Sequence, residues 1–578
     1  MKDLLGQWVD GMVGQLRAAG VVPDGPLPAF KIERPKERGH GDFSTNAAMV
    51  LARVARMKPR DLAARLLETL PADQQDIERW EIAGPGFINF FVSAARLRRQ
   101  VHAIIDAGPD YGRSHMGQSE KIMVEFVSAN PTGPIHVGHG RGAVTGDVLC
   151  RLLTATGYQV HREYYINDAG RQINVLGRSV LHRCRERLEH SSHPLPADFY
   201  PGEYVSDILD AMPEELRQSL HAWLASTQPH KEEETVLAAT TRFAIDWVLD
   251  DIKKDLARLD IHFDHWFSER RLHEQGGIDH ALNVLRSKDL IHDGLLEKPK
   301  GGAERSQDPW ETRKQPLFRA TAFGDDVDRP LQKPDGQYTY FAADIAYHLN
   351  KYERGFDRLV NIWGADHGGY VKRVEAALEG LTGKKGILHV LLVQMVNLTR
   401  NGQPVRMSKR AGNFVTLRDV VDQVGADAVR FWFLTRASAS QLDFDLDLAV
   451  ARSNDNPVYY VQYAHARICS IWRQMEEKGI HAGTLDAGSL SLDAELDLIR
   501  YLDTYPETVA LAAIHLEPHR IVFYLQDLAA MFHTYYNATR ILDDDPQVRM
   551  GRLALCQAVR QVIVNGLQLM GVKAPEQM

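Results

Sequence analysis

The sequence predicts an α/β fold, with a parallel sheet at its centre and helical regions at both ends. Three observations predict it. A strand, a glycine-containing loop, a helix and a second strand follow one another between Lys121 and Ile166, which is one βαβ unit. Apolar runs of strand character return at Phe356–Trp363 and Gly386–Val396. From Val458 onward the chain reads as one amphipathic helix after another.

Residues 1 to 110 open with a helix and pass a Pro/Gly-rich link at Val22–Pro28. A helical run follows over Ala47–Val54, and Gly84-Pro85-Gly86 then punctuates before a strand at Phe87–Val92. The run KIMVEFV over Lys121–Val127 is a strand, and Ala129-Asn130-Pro131-Thr132-Gly133-Pro134 after it forms turns. Val144, Val148, Leu149, Leu152 and Leu153 recur at helical spacing until Gly157, and Val160–Ile166 is the next strand. Residues 170–334 turn helical and charged, and the sequence reads as an insertion because strand signals of the doubly wound kind resume only afterwards. After about residue 420 strand signals fade, and Gly483–Ser491 is a long connector between C-terminal helices.

The chain has 578 residues, 44% hydrophobic and 25% charged, which excludes disorder and fibrous repeats and requires several domains. With 68 Lys and Arg against 76 Asp and Glu, its net charge of −8 argues against coating polyanions by bulk charge while permitting a local basic groove. No stretch is long and apolar enough to span a bilayer, so no membrane partner is expected. Asp3, Gln7 and Asp10 interrupt the first helix where a signal peptide would be continuous. Cys150, Cys184, Cys469 and Cys556 are widely spaced, so neither a disulfide framework nor a thiolate zinc site is expected, and a reducing cytoplasm is.

Two segments carry the chemistry. His136-Val137-Gly138-His139 sits where the loop after the first strand enters a helix, placing two imidazoles on one face of a turn whose free N–H groups suit phosphate. Gly138 would let a nucleotide approach the backbone. Read alone, the pair could equally be surface or metal-binding histidines. Arg406-Met407-Ser408-Lys409-Arg410-Ala411-Gly412 is a cationic, glycine-flanked loop suited to a triphosphate whose charge builds up as pyrophosphate leaves. Read alone, it is a solvated loop.

Together, Asn130-Pro131-Thr132-Gly133-Pro134-Ile135-His136-Val137-Gly138-His139 and Arg406–Arg410 resemble the HIGH and KMSKS signatures of class I aminoacyl-tRNA synthetases. Within that class the chain resembles the arginyl-tRNA synthetases. The matches include Val124-Glu125-Phe126, the run from Glu163 to Asp168, the run from Phe341 to His348, Gly364-Ala365-Asp366-His367 and the run from Tyr460 to Arg467. His40-Gly41-Asp42-Phe43-Ser44 resembles the family's N-terminal module. The KMSKS match departs from the pattern at Arg406 and Arg410, which stand for its first lysine and last serine.

The resemblance implies a Rossmann-like parallel-sheet catalytic core with an insertion, an N-terminal α+β add-on domain and an all-α C-terminal anticodon-binding domain. The implied divisions are 1–110, 111–169 with the HIGH motif, 170–334 as insertion, 335–400, 401–453 with the KMSKS loop, and 454–578. It also implies arginine activation by ATP and transfer to the tRNA for arginine, with Mg2+ accompanying ATP, no protein-bound zinc and a monomer. By motif position, His136, His139 and Lys409 would be catalytic. ATP would meet His136, Gly138, His139, Gly364, Asp366, His367, Met407 and Lys409 in a region whose HIGH segment runs Ala129, Asn130, Pro131, Thr132, Gly133, Pro134, Ile135, His136, Val137, Gly138, His139.

Glu125, Asn130, Tyr340 and Asp344 resemble the arginine-binding positions, and acids suit a forked guanidinium. Outside that context, Asp344 would be read as a solvated carboxylate and Tyr340 as a core aromatic. RNA contact is expected from Lys31, Arg34, Lys36 and Arg38. A second set is expected among Tyr459, Tyr463, Trp472, Phe532, Tyr535, Tyr536, Arg467, Arg473 and Arg540, most of whose aromatics should be helix core. Two rivals stay open: a synthetase of another specificity, such as the cysteine enzyme, and a noncatalytic tRNA-binding paralogue.

Overall fold

The computed structural model describes residues 1–578 except 72–73, 191, 226–232, 296–313, 401, 406–414 and 481–482. Its central sheet has strands β1 (Lys121–Glu125), β2 (Gln159–Ile166), β3 (His265–Ser268), β4 (Arg358–Gly364) and β5 (Leu388–Val393). All are parallel, in the order β5-β4-β1-β2-β3. Ile122, Met123 and Val124 of β1 are all fully buried, as a strand covered on both faces must be.

Helix α1 (Val137–Ala155) follows β1 and is buried nearly all round. A Cβ at Gly146 would overlap the Phe126 ring, so the glycine sets how closely α1 lies on the sheet. Helix α2 (Arg171–Glu189) leaves β2. Helix α3 (Tyr340–Glu353) is started by Thr339, whose hydroxyl accepts from the Ala342 N–H, and it lays Tyr347 on Tyr165 of β2 and Phe267 of β3. Two short helices, α4 (Leu417–Val424) and α5 (Ala426–Trp432), pack beside α1, with Leu417 and Phe433 against Gly140.

Residues 170–334 are not wholly an insertion. The stretch supplies β3, which pairs with β2 and completes the core sheet; its four residues, HWFS, are too short and mixed to stand out as a strand. Two further strands of this stretch, Ile291–Leu295 and Lys314–Phe318, form a separate antiparallel sheet with Arg329–Pro330. Strand structure also persists beyond residue 420. Leu442–Asp445 pairs in parallel with Val396–Arg400, which is itself a strand distinct from β5.

The N-terminal region is a four-stranded antiparallel sheet, in spatial order Ile32–Glu33, Phe43–Thr45, Phe87–Val92 and Ile77–Ala83, with helices beside it. Among the described residues after Pro457, the regular elements of the C-terminal region are helices and one 3-10 turn, ending in α6 (Pro546–Leu569). All four cysteines are buried free thiols.

Candidate active site

β1 is the first strand of the sheet. Its successors β2 and β3 lie on one side, and β4 and β5 on the other. A crevice therefore opens at the carboxyl ends of β1 and β4, where ligands of open α/β sheets bind. The chain leaves β1 through a tight γ-turn in which the Ser128 N–H donates to the Phe126 carbonyl (3.0 Å). Val127 (φ +68°) and Ser128 (φ +40°) both hold left-handed conformations, a strain that a β-branched residue rarely bears. The Ser128 hydroxyl compensates by donating to Glu125 Oε1 (2.9 Å) and accepting from the Tyr165 N–H (3.1 Å). Tyr204 from the 170–334 stretch then clasps the loop, its hydroxyl donating to the Thr132 carbonyl (2.7 Å).

His136 is the N-cap of α1. Its Nδ1 accepts from the Gly138 N–H (3.1 Å), and His139 Nδ1 accepts from the His136 N–H (3.4 Å), so the two imidazoles form a reciprocal capping box. The rings stack with centroids 3.8 Å apart. With both Nδ1 atoms accepting, Nε2 is the nitrogen through which each imidazole can donate at this helix N-terminus. Across the crevice Gly364 ends β4, and Asp366 and His367 begin the exposed turn after it. Thr416, just before α4, pairs with His136, and the Leu417 N–H donates to the Ile135 carbonyl (2.9 Å). The expected Arg406, Met407, Lys409 and Arg410 lie outside the described residues.

The expected arginine positions divide into two groups. Glu125 is buried, and its Oε2 meets the wholly buried Lys351 ammonium at 2.5 Å. Lys351 also donates to Asn361 Oδ1 (2.8 Å), whose amide donates to His348 Nε2 (2.9 Å). Burial, and then Lys351, push His348 down to about 3, so it stays neutral and donates from Nδ1 to the Asp344 carbonyl. Glu125 is thus a neutralised carboxylate that anchors α3 to β1. Asn130 and Tyr340 stand at the mouth. The Asn130 amide donates to Gln172 of α2 (2.8 Å), and Gly170, at φ +89°, lies beside the Tyr340 hydroxyl.

Asp344 lies deeper. It accepts from the Tyr370 hydroxyl, yet burial, with Glu269 and Glu125 adding repulsion, pushes its carboxyl up to about 7. Glu269, at the carboxyl end of β3, is a further acid of this pocket that sequence reading did not single out. Burial raises it as well, and Tyr165, Asn167 (3.0 Å) and His273 face it. Two carboxyls with elevated pKa, Glu269 buried and Asp344 half-buried, are suited to a ligand that brings its own positive charge.

Among the described residues one cluster has metal-ligand spacing: His161, Glu163 and His265. It does not fit a divalent ion, because the Arg354 guanidinium already occupies it, 2.7 Å from Glu163 Oε2 and 3.1 Å from His161 Nε2. Burial alone would raise Glu163, but hydrogen bonds from His161 and Arg354 hold it well below the usual carboxylate range.

Of the expected RNA-binding residues, Phe532 and Tyr535 are core, Tyr535 donating to buried Glu495 (3.1 Å). Tyr459 and Tyr463 stack on one another, and Arg467 lies 4.7 Å from the ring centres of both Tyr463 and Tyr536. Arg34 is spent on Asp503 (2.6 Å), tying the N-terminal region to the C-terminal helices, and the Arg38 side chain lies outside the described residues.

The fold and the stacked histidines at the carboxyl end of the central strand define a class I aminoacyl-tRNA synthetase, and the family described as tRNA synthetases class I (R), catalytic domain, matches residues 100–294. The class I (I, L, M and V) family matches 367–446, the arginyl tRNA synthetase N terminal domain matches 10–92, and the DALR anticodon binding domain matches 461–578. An arginine–tRNA ligase of Magnetococcus marinus is 57% identical over the whole of both chains. That of Bacillus velezensis is 45% identical over 100% of this chain and 99% of its own. The arginyl-tRNA synthetase structure of Thermus thermophilus superposes with a TM-score of 0.73 at 21% identity, covering all of both chains. The chain belongs to the arginyl-tRNA synthetase family.

Proposed function

We propose that this protein joins L-arginine to its tRNA in two steps within the crevice at β1 and β4. The arginine carboxylate attacks the α-phosphorus of ATP and pyrophosphate leaves; the terminal ribose 2′-OH of the tRNA then attacks the arginyl carbonyl and AMP leaves. The observation that carries this reading is the pairing of two stacked imidazoles with the acids Asp344 and Glu269, whose carboxyls are both raised. In-line displacement at phosphorus asks for positioning and charge stabilisation, which the Nε2–H groups of His136 and His139 supply to phosphate oxygens.

Gly138, Gly364, Asp366 and His367 border the nucleotide, with Met407 and Lys409 arriving from the KMSKS side. Asp344 and Glu269 receive the guanidinium, while Asn130 and Tyr340 close the mouth and hold the amino-acid end. Glu125 acts through its Lys351 pair. Magnesium enters on the ATP phosphates and is assigned no protein ligand, and no zinc is assigned.

Residues 1–110 and 454–578 contact the tRNA, the latter through the half-buried Tyr463, Arg467 and Tyr536 cluster. Arginine selection needs no editing site, because an analogue that leaves these two acids unpaired is rejected in the first binding event. Among the described residues no helix is long and apolar enough to cross a membrane. A cytoplasmic monomer is the working expectation.

The test is ATP–pyrophosphate exchange with each amino acid in turn, with and without tRNA. Arginine-dependent exchange is expected; exchange with cysteine or lysine instead, or with none, would overturn the proposal in favour of another specificity or a noncatalytic paralogue.

A further inference from the structure

Arg430, on α5, is buried to 1% exposure and reaches three separate parts of the molecule. Its Nη2 meets Asp147 Oδ2 of α1 at 2.5 Å, its Nη1 donates to the Leu259 carbonyl just past helix Glu233–Ala257 (2.5 Å), and its Nε donates to the Met570 carbonyl at the end of α6 (2.7 Å). All three nitrogens of the guanidinium are engaged, which a lysine could not reproduce.

The α6 terminus is shaped for this. The Gly571 N–H donates to the Gln568 carbonyl and the Val572 N–H to the Leu567 carbonyl, a Schellman ending with Gly571 at φ +65°. A Cβ at Gly571 would overlap the Arg430 guanidinium. The other end of the α4–α5 unit touches the histidine turn itself, through Thr416 on His136 and the Leu417 N–H on Ile135. Asp147 lies eight residues beyond His139 on the same helix, about 12 Å along its axis. The α4–α5 unit therefore holds α1 at two points, and the second of these is completed by the last turn of the anticodon-binding region.

We propose that Arg430 is a positioning residue for the activation step, through which the C-terminal turn at Met570–Gly571 fixes the HIGH helix relative to the KMSKS-side helices. The inference rests on the adenylation chemistry proposed above. It gives the anticodon-binding region a part in the geometry of the active site that needs no contact with ATP or arginine.

The experiment compares Arg430→Lys, Arg430→Met, Gly571→Ala and the Arg430→Met/Gly571→Ala double variant in the full chain. Exchange is measured in the presence of tRNA, beside thermal melts and wild-type protein; wild-type exchange establishes the chemistry independently. Expected is a loss in kcat of about tenfold or more, from an ångström-scale misplacement of the histidine turn. KM for arginine and ATP should stay within about twofold, since the substrate contacts remain. Arg430→Lys should recover part of the Arg430→Met loss, and the double variant should be no slower than the worse single variant, because both changes break one linkage.

Unchanged kcat with a lowered melting temperature would show Arg430 to be purely structural and overturn the proposal. So would a loss carried by KM, or multiplicative losses in the double variant. If Gly571→Ala does not fold, the kcat of the Arg430→Lys variant decides: near wild type it refutes, and intermediate between wild type and Arg430→Met it supports.

Discussion

Arginine affinity should fall steeply as pH drops from 8 to 6, and Asp344 sets the size of the effect. Its carboxyl is pushed up to about 7, first by burial and then by Glu269 and Glu125. A bound guanidinium favours the anion, so the protonated fraction must release its proton on binding. The apparent dissociation constant then scales as one plus the ratio of proton concentration to the acid constant, a factor of about 1.1 at pH 8 and about 11 at pH 6. The expected weakening is therefore about tenfold, or about 1.4 kcal/mol. Glu269, raised in the same direction, can only steepen it.

Calorimetry of arginine binding across this range measures the change. Repeating it at pH 7 in buffers of different ionisation enthalpy should reveal about half a proton released per arginine. Tyr370→Phe removes a hydrogen bond that holds Asp344 down, so the midpoint should move to higher pH. Affinity constant within twofold between pH 6 and 8, or an Asp344→Asn variant with the full slope intact, would refute the reasoning.

Three further outcomes are expected. His139→Ala should lower the adenylation rate by about 10²- to 10³-fold with little change in KM for arginine, the signature of a donor whose bond strengthens in the transition state; stopped-flow or exchange kinetics would show it. Lys351→Met strands the buried Glu125 carboxylate and should destabilise the fold by about 3–5 kcal/mol in a denaturant titration. Gly146→Ala drives a methyl into the Phe126 ring and should cost about 1–3 kcal/mol by the same measurement, with α1 and its histidines displaced.

The sequence by itself determined the parts whose information is local. The β1–α1–β2 unit, β4 and the C-terminal helices each carry enough apolar residues at one period to declare their type. The histidine turn was legible as a place, because His136, Gly138 and His139 are neighbours in the chain at the entry to one helix, while the capping by both imidazoles emerged only from the structure. Asp344 and Tyr340, one turn apart on α3, stood out only through the family resemblance, since local spacing alone reads them as a solvated carboxylate and a core aromatic.

What only the tertiary structure decided depends on residues far apart in the chain. The strand β3 is four residues long and becomes a core strand only by pairing with β2. Glu269 follows β3 with no motif around it, and it joins the acidic pocket because the sheet brings it toward Asp344, seventy-five residues later. Glu125 reads as a free acid until Lys351, 226 positions away, is found against it. Arg430 looks like any helical arginine until folding puts Asp147, Leu259 and Met570 around one guanidinium. Periodicity and motif spacing record which face of an element is buried; the charge that a side chain meets there is set by whichever distant residue the fold packs against it.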